Sequence, residues 1–373
     1  MNARHKTWLA AMLAAVSGVS AFSQVETPPA DKPFFEAQDL FQDTRIPNIV
    51  VATSGTVLAF AKSGNLVRRS EDRGKTWSPV QPVGPDATGS AIVDEIRGDI
   101  MVVSARKSFL WRSRDDGKTW QKEGIVIKPN PLGHGATNGV PAQTACSESG
   151  VTLLHSKWKG RLLMPARVQP PKGNNDQEWW PYNYNTAIFS DDGGKTWQTA
   201  APVQSGTGEG ALAELSNGSI YFNSRSHMAV DHRRQIAWSH NGGAMWVDWS
   251  ASDQLFEIGE PFYFKYGTKP SYGCNAGLVR MPLEATGGKD VLLFSAPDNP
   301  GRNRVRMTVW ASFDGAQNWT VKRLVCEGHS AYSSLAAGRD GLIYLLFETG
   351  DKKLYDKISL ARFNLAWLVE RRP

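Results

Sequence analysis

The chain has 373 residues, of which 41% are hydrophobic and 21% are charged. This composition is that of an ordinary globular protein, and it excludes a disordered chain, a collagen-like fibre and a disulfide-stapled miniprotein. The 42 basic and 36 acidic residues give a formal net charge of +6 without any run of five or six basic residues. The sequence therefore lacks the basic patch that is typical of nucleic-acid-binding proteins.

The N-terminus has the three regions of a secretory signal peptide. Arg4 and Lys6 precede an apolar stretch at residues 8–19, and small residues follow as far as Ser23. This stretch, like every later one, is shorter than the roughly 20 residues that cross a bilayer. We therefore expect a signal peptide at residues 1–23, a disordered leader at 24–34 and a single domain at 35–373. The protein is then a secreted or periplasmic bacterial protein without a membrane span, and we expect it to be a monomer.

The composition of the chain favours many short strands. It contains 35 Gly and 14 Trp, and its apolar runs are short, which is typical of strands joined by tight turns. Cys146, Cys274 and Cys326 allow at most one disulfide within one chain. Their spacing does not indicate a metal site, and no cofactor is expected.

An eight-residue pattern that begins with Ser and ends with Trp recurs five times. Its copies occupy residues 70–77, 113–120, 190–197, 239–246 and 312–319, and the last two are degraded. In the first copy Asp72 can cap backbone N–H groups of a tight turn, Gly74 supplies a positive φ, and Trp77 packs the turn onto its sheet. Repeats of roughly 40 to 50 residues with strands around them are typical of propeller blades. The roughly 335 residues after the leader, at about 55 per blade, make six blades.

This pattern resembles the Asp-box, or bacterial neuraminidase repeat. The resemblance implies an all-β fold, a six-bladed β-propeller of the sialidase type with Asp-box hairpins. The acids Asp72, Asp115 and Asp192 are then structural. Longer gaps between copies accommodate either inserted loops or a blade whose turn has lost the motif. Similar repeats occur in sialidases, sortilin-like receptors, photosystem-assembly propellers and reelin-type proteins, so the repeat alone does not specify a function.

Five further segments resemble the active-site segments of exo-sialidases and follow the order of that family. Arg45, Ile46 and Pro47 are similar to its Arg-Ile-Pro motif, whose arginine binds the substrate carboxylate. Glu209 precedes Arg225 by 16 residues, the spacing of the family's catalytic glutamate and second carboxylate-binding arginine.

The third arginine of the resemblance lies ahead of the last Asp-box. Counting back eight residues from Ser312 selects Arg304. Arg302 and Arg306 remain alternatives, because alternate residues of a strand point the same way. Near Glu209, a second acid, Glu214, is expected to be a turn or surface residue.

Two later segments complete the resemblance. Tyr332 lies in a segment similar to the one that carries the family's nucleophile, and Glu348 in one whose glutamate braces the first arginine. The resemblance implies that the catalytic residues are Tyr332 and Glu209, and that the substrate-binding residues are Arg45, Arg225, Arg304 and Glu348.

The chemistry of sialic acid gives a reason for this set. Its anomeric carbon carries a carboxylate, which guanidinium groups bind through bidentate hydrogen bonds that lysine does not reproduce. A carboxylate nucleophile would be repelled by that charge, whereas a neutral tyrosine that loses its proton to a glutamate is not. We therefore expect a retaining exo-glycosidase that hydrolyses terminal α-linked sialic acid, or a related 2-keto acid sugar, from a glycan or glycoconjugate.

The sequence departs from the family at the general acid. In the family a loop after the first strand carries an Asp, roughly two dozen residues beyond the first arginine. Here no acid lies between Arg45 and Glu71. His134, Glu148 and Asp231 are the candidate replacements.

The missing acid leaves several functions open. The chain is a sialidase with a replacement acid, a sialidase-like hydrolase of a different glycan, or a catalytically impaired propeller that binds an acidic sugar. An assembly or scaffold propeller is a further alternative, and it requires no convergence of the three arginines. Residues 174–184, which contain aromatic and amide side chains, are equally suited to sugar binding and to packing on a blade.

Overall fold

The computed structural model describes residues 32–132, 143–146, 148–169, 182–228, 232–259, 273–300 and 303–370, with 143–146 described as backbone alone. The predicted signal peptide and most of the predicted leader lie outside these residues. The end of that leader is part of the fold, because the side chain of Asn364 accepts a hydrogen bond from the Phe34 N–H and donates one to the Lys32 carbonyl. Within the described residues no helix is long and apolar enough to span a membrane.

The described elements are strands, apart from short 3-10 turns and one short helix. The strands of the first half are β1 Phe35–Gln42, β2 Asn48–Val51, β3 Val57–Ala61, β4 Leu66–Ser70, β5 Gln81–Pro82, β6 Ser90–Val93, β7 Ile100–Ser104, β8 Phe109–Ser113, β9 Gln121–Gly124, β10 Val126–Lys128, β11 Gln143–Cys146, β12 Val151–Thr152, β13 Leu162–Gln169, β14 Tyr184–Ser190 and β15 Thr196–Thr199. Those of the second half are β16 Thr207–Glu214, β17 Ile220–Ser226, β18 Arg233–Ser239, β19 Val247–Phe256, β20 Gly277–Arg280, β21 Leu292–Pro297, β22 Val305–Ser312, β23 Val321–Ala337, β24 Ile343–Gly350 and β25 Lys357–Phe363, followed by α1 Leu365–Val369.

These strands form a six-bladed β-propeller. Blade I contains β2 to β5, blade II β6 to β9, blade III β10 to β15 and blade IV β16 to β19. The remaining strands form one seven-stranded sheet in the order β1-β25-β24-β23-β22-β21-β20. The long strand β23 divides it, since its first part pairs with β22 and its second part with β24. Blade V is therefore β20 to the first part of β23, and blade VI is the second part of β23 with β24, β25 and β1.

The buried apolar side chains support this blade count. They form six main clusters, and each cluster joins two neighbouring blades. For example, Val50 and Leu58 of blade I pack with Ala91 and Val102 of blade II. Another of the six clusters joins blade VI to blade I, so the ring is closed. The core of the propeller thus lies between the blades.

Blade VI differs from the others because it combines strands that are far apart in the sequence. Its outermost strand is β1, which pairs antiparallel with β25 from Phe35 opposite Phe363 to Gln42 opposite Lys357. Blades I to V each carry one Asp-box between their third and fourth strands, counted from the channel, so the long gaps between copies are inserted loops and no intervening blade has lost its motif.

The Asp-box hairpins have the predicted hydrogen bonds. In the first copy Asp72 accepts a hydrogen bond from the Ser70 hydroxyl at 2.7 Å and one from the Thr76 N–H at 2.9 Å. The Ser70 Oγ accepts one from the Gly74 N–H at 2.7 Å. The degraded fifth copy has Ala316 where the others have glycine, in the same left-handed conformation at φ 68°. The antiparallel strand order places all five hairpins at one end of the channel, called here the rear face, and the opposite end is the front face.

Candidate active site

The six residues selected from the sequence converge at the front mouth of the central channel. Each lies at the front end of its strand or beside it. Arg45 precedes β2, Glu209 is near the start of β16, Arg225 near the end of β17, Arg304 just before β22, Tyr332 in the middle of β23 and Glu348 near the end of β24.

The centre of this cluster is a hydrogen-bonded pair. The Tyr332 hydroxyl donates to Oε1 of Glu209 at 2.8 Å. Nη1 of Arg225 donates to Oε2 of Glu209 at 2.7 Å and to the Tyr332 hydroxyl at 2.9 Å. Tyr332 lies where the pairing of β23 with β24 shifts register between Ser330 and Ser333. Such bulges redirect a side chain out of its ladder, and this one accompanies the turn of Tyr332 toward Glu209.

The surroundings keep the two partners in opposite charge states. Burial alone would raise the pKa of Glu209, but the positive charges of Arg225 and Arg167 outweigh it and hold that pKa well below its usual value. Burial, to which the charge of Glu209 adds, raises the pKa of Tyr332 to about 12. At neutral pH the site therefore holds an ionised carboxylate that accepts a hydrogen bond from a neutral phenol.

Arg45 is held by a carboxylate that is fully buried. Nε and Nη2 of Arg45 donate to the two oxygens of Glu348 at 3.0 and 3.1 Å, a bidentate ion pair. Glu348 also accepts hydrogen bonds from the backbone N–H groups of Ile46 and Tyr332, at 2.8 and 3.2 Å. Ile46 has φ 66°, which is costly for a β-branched residue. This strained backbone lets its N–H and the Arg45 side chain reach the same carboxylate.

Arg304 completes the arginine cluster. It donates from Nη1 to the Tyr355 hydroxyl at 2.9 Å and from Nη2 to the Gly273 carbonyl at 3.0 Å. Its guanidinium carbon is 5.4 Å from the centre of the Tyr332 ring, and that of Arg45 is 5.3 Å from the same point. The three predicted arginines thus surround one tyrosine.

The alternatives for the third arginine do not join this cluster in the described residues. Arg306 is partly exposed and forms an ion pair with the exposed Glu327 at the protein surface. Arg302 lies outside the described residues. Of the two described arginines, Arg304 is the one at the channel mouth.

Gly273 allows this close packing. It has φ 67°, and a Cβ built on it would lie 2.8 Å from Cγ of Arg225 and 3.0 Å from Oε2 of Glu257. Glu257 is buried and binds Arg234 at 2.8 Å, beneath the cluster. Any side chain at position 273 would therefore displace Arg225.

Three further residues at the site were missed by the sequence reasoning. Arg167, near the end of β13, has its Nη1 3.1 Å from Oε1 of Glu209. His227 is buried against Gly208, and burial together with the charge of Arg225 lowers its pKa well below the usual value. The ring of Tyr355 lies 3.7 Å from the guanidinium carbon of Arg45. Alternation along β13 was the one available signal for Arg167, and no motif marked the other two.

The candidate general acids have different outcomes. Glu148 is 1% exposed, and its carboxyl accepts hydrogen bonds from Ser334 and Asn275. Because Ser334 lies two residues beyond Tyr332 along the inner strand, Glu148 lies inside the channel and away from its mouth. Burial raises the pKa of Glu148 to about 8. His134 and Asp231 lie outside the described residues.

The turn between β3 and β4 occupies the position at which sialidases carry their acid, by the resemblance described above. It contains Lys62, Ser63, Gly64 and Asn65, without an acid. The N–H of Lys62 donates to the carbonyl of Arg45 at 2.7 Å, so this turn lies directly beside the first arginine.

The expectation for Glu214 was wrong. It is buried at the end of β16 and accepts hydrogen bonds from the backbone N–H groups of Leu154 and His155. Glu214 lies on blade IV, and its carboxylate accepts the backbone hydrogen bonds of a loop of blade III at the rear of the channel. It is therefore a buried acid and not a turn or surface acid.

Comparison with known proteins agrees with this architecture. The family model for a BNR repeat-like domain matches residues 94–345. A sialidase of Micromonospora viridifaciens is 28% identical over 96% of this chain and 58% of its own length. A sialidase of Bacteroides fragilis is 25% identical over 82% of this chain and 60% of its own length. The chain thus spans about three fifths of each of these curated relatives.

A solved structure provides the same comparison for the fold. Hadza microbial sialidase Hz136 superposes with a TM-score of 0.65 and 23% identity, over 87% of this chain and 66% of that one. At this level of identity the likeness is one of fold, and it shows a sialidase-type propeller.

Proposed function

The chain belongs to the BNR repeat-like family of propellers, and from this and the geometry of its site we propose that it is a sialidase-like exo-glycosidase. It hydrolyses a terminal α-linked sialic acid, or a related 2-keto acid sugar, with retention of configuration. The observation that carries this proposal is the 2.8 Å hydrogen bond from Tyr332 to Glu209 in the midst of three arginines. Curated relatives named sialidase support it.

The arginines bind the substrate carboxylate in this proposal. Arg45, Arg225 and Arg304 each lie within reach of one group above the Tyr332 ring. Glu348 keeps the Arg45 guanidinium in place, so its rotamer is fixed before the substrate arrives. The sugar is then held with its anomeric carbon over the Tyr332 hydroxyl.

Tyr332 is the nucleophile and Glu209 its general base. As the Tyr332 oxygen bonds to the anomeric carbon, its proton passes to Glu209 and the bond to the leaving group breaks. Water then attacks the same carbon, the bond to Tyr332 breaks, and Glu209 returns the proton to the tyrosine. The attacking water loses its proton to solvent, and the departed leaving-group oxygen takes up one proton from solvent. The substrate carboxylate shares the charge of Arg225 and so makes Glu209 a stronger base during the reaction.

A fluorogenic substrate that needs no general acid tests this function. 4-Methylumbelliferone leaves readily without protonation, so its α-sialoside does not need the acid that the turn at 62–65 lacks. We expect the purified mature protein to release it, and a Tyr332→Phe variant to lose turnover but still bind sialic acid in calorimetry. An equally active Tyr332→Phe variant would contradict the tyrosine mechanism.

The second candidate is an acidic-sugar-binding propeller without turnover. It is favoured by the acid-free turn beside Arg45 and by the burial of Glu148 away from the mouth. Absence of turnover in the wild-type protein, together with calorimetric binding of sialic acid, would select this candidate.

A further inference from the structure

A second pair of arginines, Arg106 and Arg167, lies on the side of the channel mouth formed by blades II and III, where Arg167 also contacts Glu209. Arg106 is in the 3-10 turn Ala105–Lys107 between β7 and β8, on the front face of blade II. This turn packs against β11 of blade III, and β11 pairs with β13 with Ala145 opposite Arg167. In a six-bladed ring, blades II and III lie opposite blades V and VI.

These two arginines have little negative charge to balance them. Arg167 shares a single oxygen of Glu209 with the Tyr332 hydroxyl. Nε and Nη1 of Arg167 are buried, and neither has a hydrogen-bond partner with good geometry among the described residues. The turn of Arg106 packs against β11, the strand that pairs with β13 beside Arg167. Burial and the like charge of Arg167 lower the pKa of Arg106, in agreement with this packing. A buried guanidinium N–H without an acceptor is destabilising, and an anionic ligand would supply the missing acceptor.

The charge balance of the described residues at the mouth points the same way. Among these residues five arginines face two carboxylates, and the groups involved are Arg45, Arg106, Arg167, Arg225, Arg304, Glu209 and Glu348. One substrate carboxylate would leave two of these positive charges unmatched. Arg106 and Arg167 belong to blades II and III, whereas Arg45 and Arg304 belong to blades I and V.

We infer that the substrate of this site is a sugar acid that carries a second anionic group, such as a phosphate or sulfate ester, bound by Arg106 and Arg167. This inference rests on the proposed function, because it assumes that the sugar carboxylate is bound by Arg45, Arg225 and Arg304. Both groups present several oxygens to planar guanidinium forks, and such charge-assisted pairs are among the strongest hydrogen bonds in proteins.

Calorimetry with three free sugars tests the inference. The ligands are N-acetylneuraminic acid, its 9-phosphate and its 8-sulfate, at matched ionic strength. We expect at least one of the two esters to bind about tenfold tighter than the parent sugar, as one charge-assisted contact provides. The ester that gains affinity identifies the group. Equal affinity for all three would overturn the inference.

Arg106 supplies the variant. Arg106→Gln should remove most of the gain for the ester and leave the affinity for the parent sugar unchanged. Lys107→Gln is the matched control, since it removes a charge from the same turn but Lys107 points to the Asp86 carbonyl at 3.3 Å. A gain that persists in Arg106→Gln, or that falls equally in Lys107→Gln, would overturn the assignment to Arg106.

A second measurement separates failure of this inference from failure of the proposed function. Inorganic phosphate, compared with chloride at equal ionic strength, should raise the unfolding temperature of the wild-type protein more than that of Arg106→Gln. This difference without any binding of sialic acid would support the anion subsite and contradict the sialic acid assignment. If the parent sugar binds but phosphate stabilises both proteins equally, the sialic acid assignment is supported and the anion subsite is contradicted.

Discussion

The carboxylates of the Asp-box hairpins and those of the channel mouth are the same chemical group in two different kinds of surroundings. Asp72 and its counterparts accept hydrogen bonds from N–H and hydroxyl groups four residues or fewer away. Glu209 and Glu348 accept them from residues that are 16 to 303 positions distant, and the partners are chiefly arginines. The hairpin acids thus stabilise one turn each, whereas the mouth acids join different blades.

The difference explains why one group is structural and the other suited to chemistry. The hairpin carboxylates neighbour neutral donors at the exposed rear face and carry no charge-dependent task. At the mouth, the carboxylates set the orientation of guanidinium groups and the protonation of a phenol. Burial and partner charge, more than residue type, therefore distinguish the two roles.

The largest expected effect is on turnover. Glu209→Gln removes the general base and should lower kcat for the fluorogenic sialoside by about 10² to 10⁴-fold. Asp115→Asn is the matched control, because it makes the same carboxylate-to-amide change in a hairpin and should leave kcat unaltered. Comparable kcat values for the two variants would contradict a catalytic role of Glu209 that the hairpin acids lack. Circular dichroism of both variants checks that they are folded.

Glu148 provides a third type of carboxyl, buried but without an arginine. Its pKa of about 8 in the folded protein exceeds the ordinary value of 4.5. Between these values the folded protein holds a proton that the unfolded chain has lost, so stability falls as pH rises. From pH 6 to pH 8.5 we expect the wild-type free energy of unfolding to fall by on the order of 3 kcal/mol more than that of Glu148→Gln. Urea titrations at both pH values measure this, and parallel profiles for the two proteins would contradict it.

Removal of a hairpin acid should affect stability alone. Asp115→Ala deletes the acceptor of bonds from the Ser113 hydroxyl and the Thr119 N–H, at 2.8 and 2.9 Å. We expect a loss of about 1 to 2 kcal/mol in urea unfolding, with kcat unchanged. Glu71→Ala is the control, since Glu71 is exposed and its ion pairs should contribute less than about 1 kcal/mol. A loss of activity in Asp115→Ala would couple the rear face to the site.

The smallest effect should come from Arg306, which lies on β22 two residues beyond Arg304 but outside the arginine cluster at the mouth. Arg306→Ala breaks an exposed ion pair with Glu327, and we expect a change below about 0.5 kcal/mol in stability. Its affinity for sialic acid in calorimetry should stay within twofold. Arg304→Ala should weaken that affinity by about tenfold or more, because it deletes a charge-assisted contact. The reverse order would reassign the third arginine.

The parts of the molecule that were predictable from sequence are those encoded by local pattern or by family resemblance. Each hairpin is specified by eight consecutive residues, so Ser113 and Asp115 were readable directly. The clustering of Arg45, Tyr332 and Glu348 needed the order of motifs, because their contacts span up to 303 positions.

Other features had no such signal. The contact of Arg167 with Glu209 depends on which face of β13 meets the channel, and that is fixed by strand register. The positive φ of Ile46 contradicts its intrinsic preference and arises because Glu348 accepts hydrogen bonds from its N–H and from Arg45. Tyr355 lies in a turn whose sequence resembles many surface turns. Tertiary contact, rather than local pattern, determines these positions.

The pairing of β1 with β25 also determines when the protein can finish folding. Blade VI needs residues 35–42 and 357–363 at once, so the ring stays open during synthesis until residues 357–363 have emerged. Closure joins residues more than 300 positions apart, a feature that slows folding because the entropy of loop closure is lost before the contacts form. Until then the apolar sides of blades I and VI that later pack together remain exposed. Folding intermediates of this propeller should therefore aggregate unless β25 pairs with β1 rapidly.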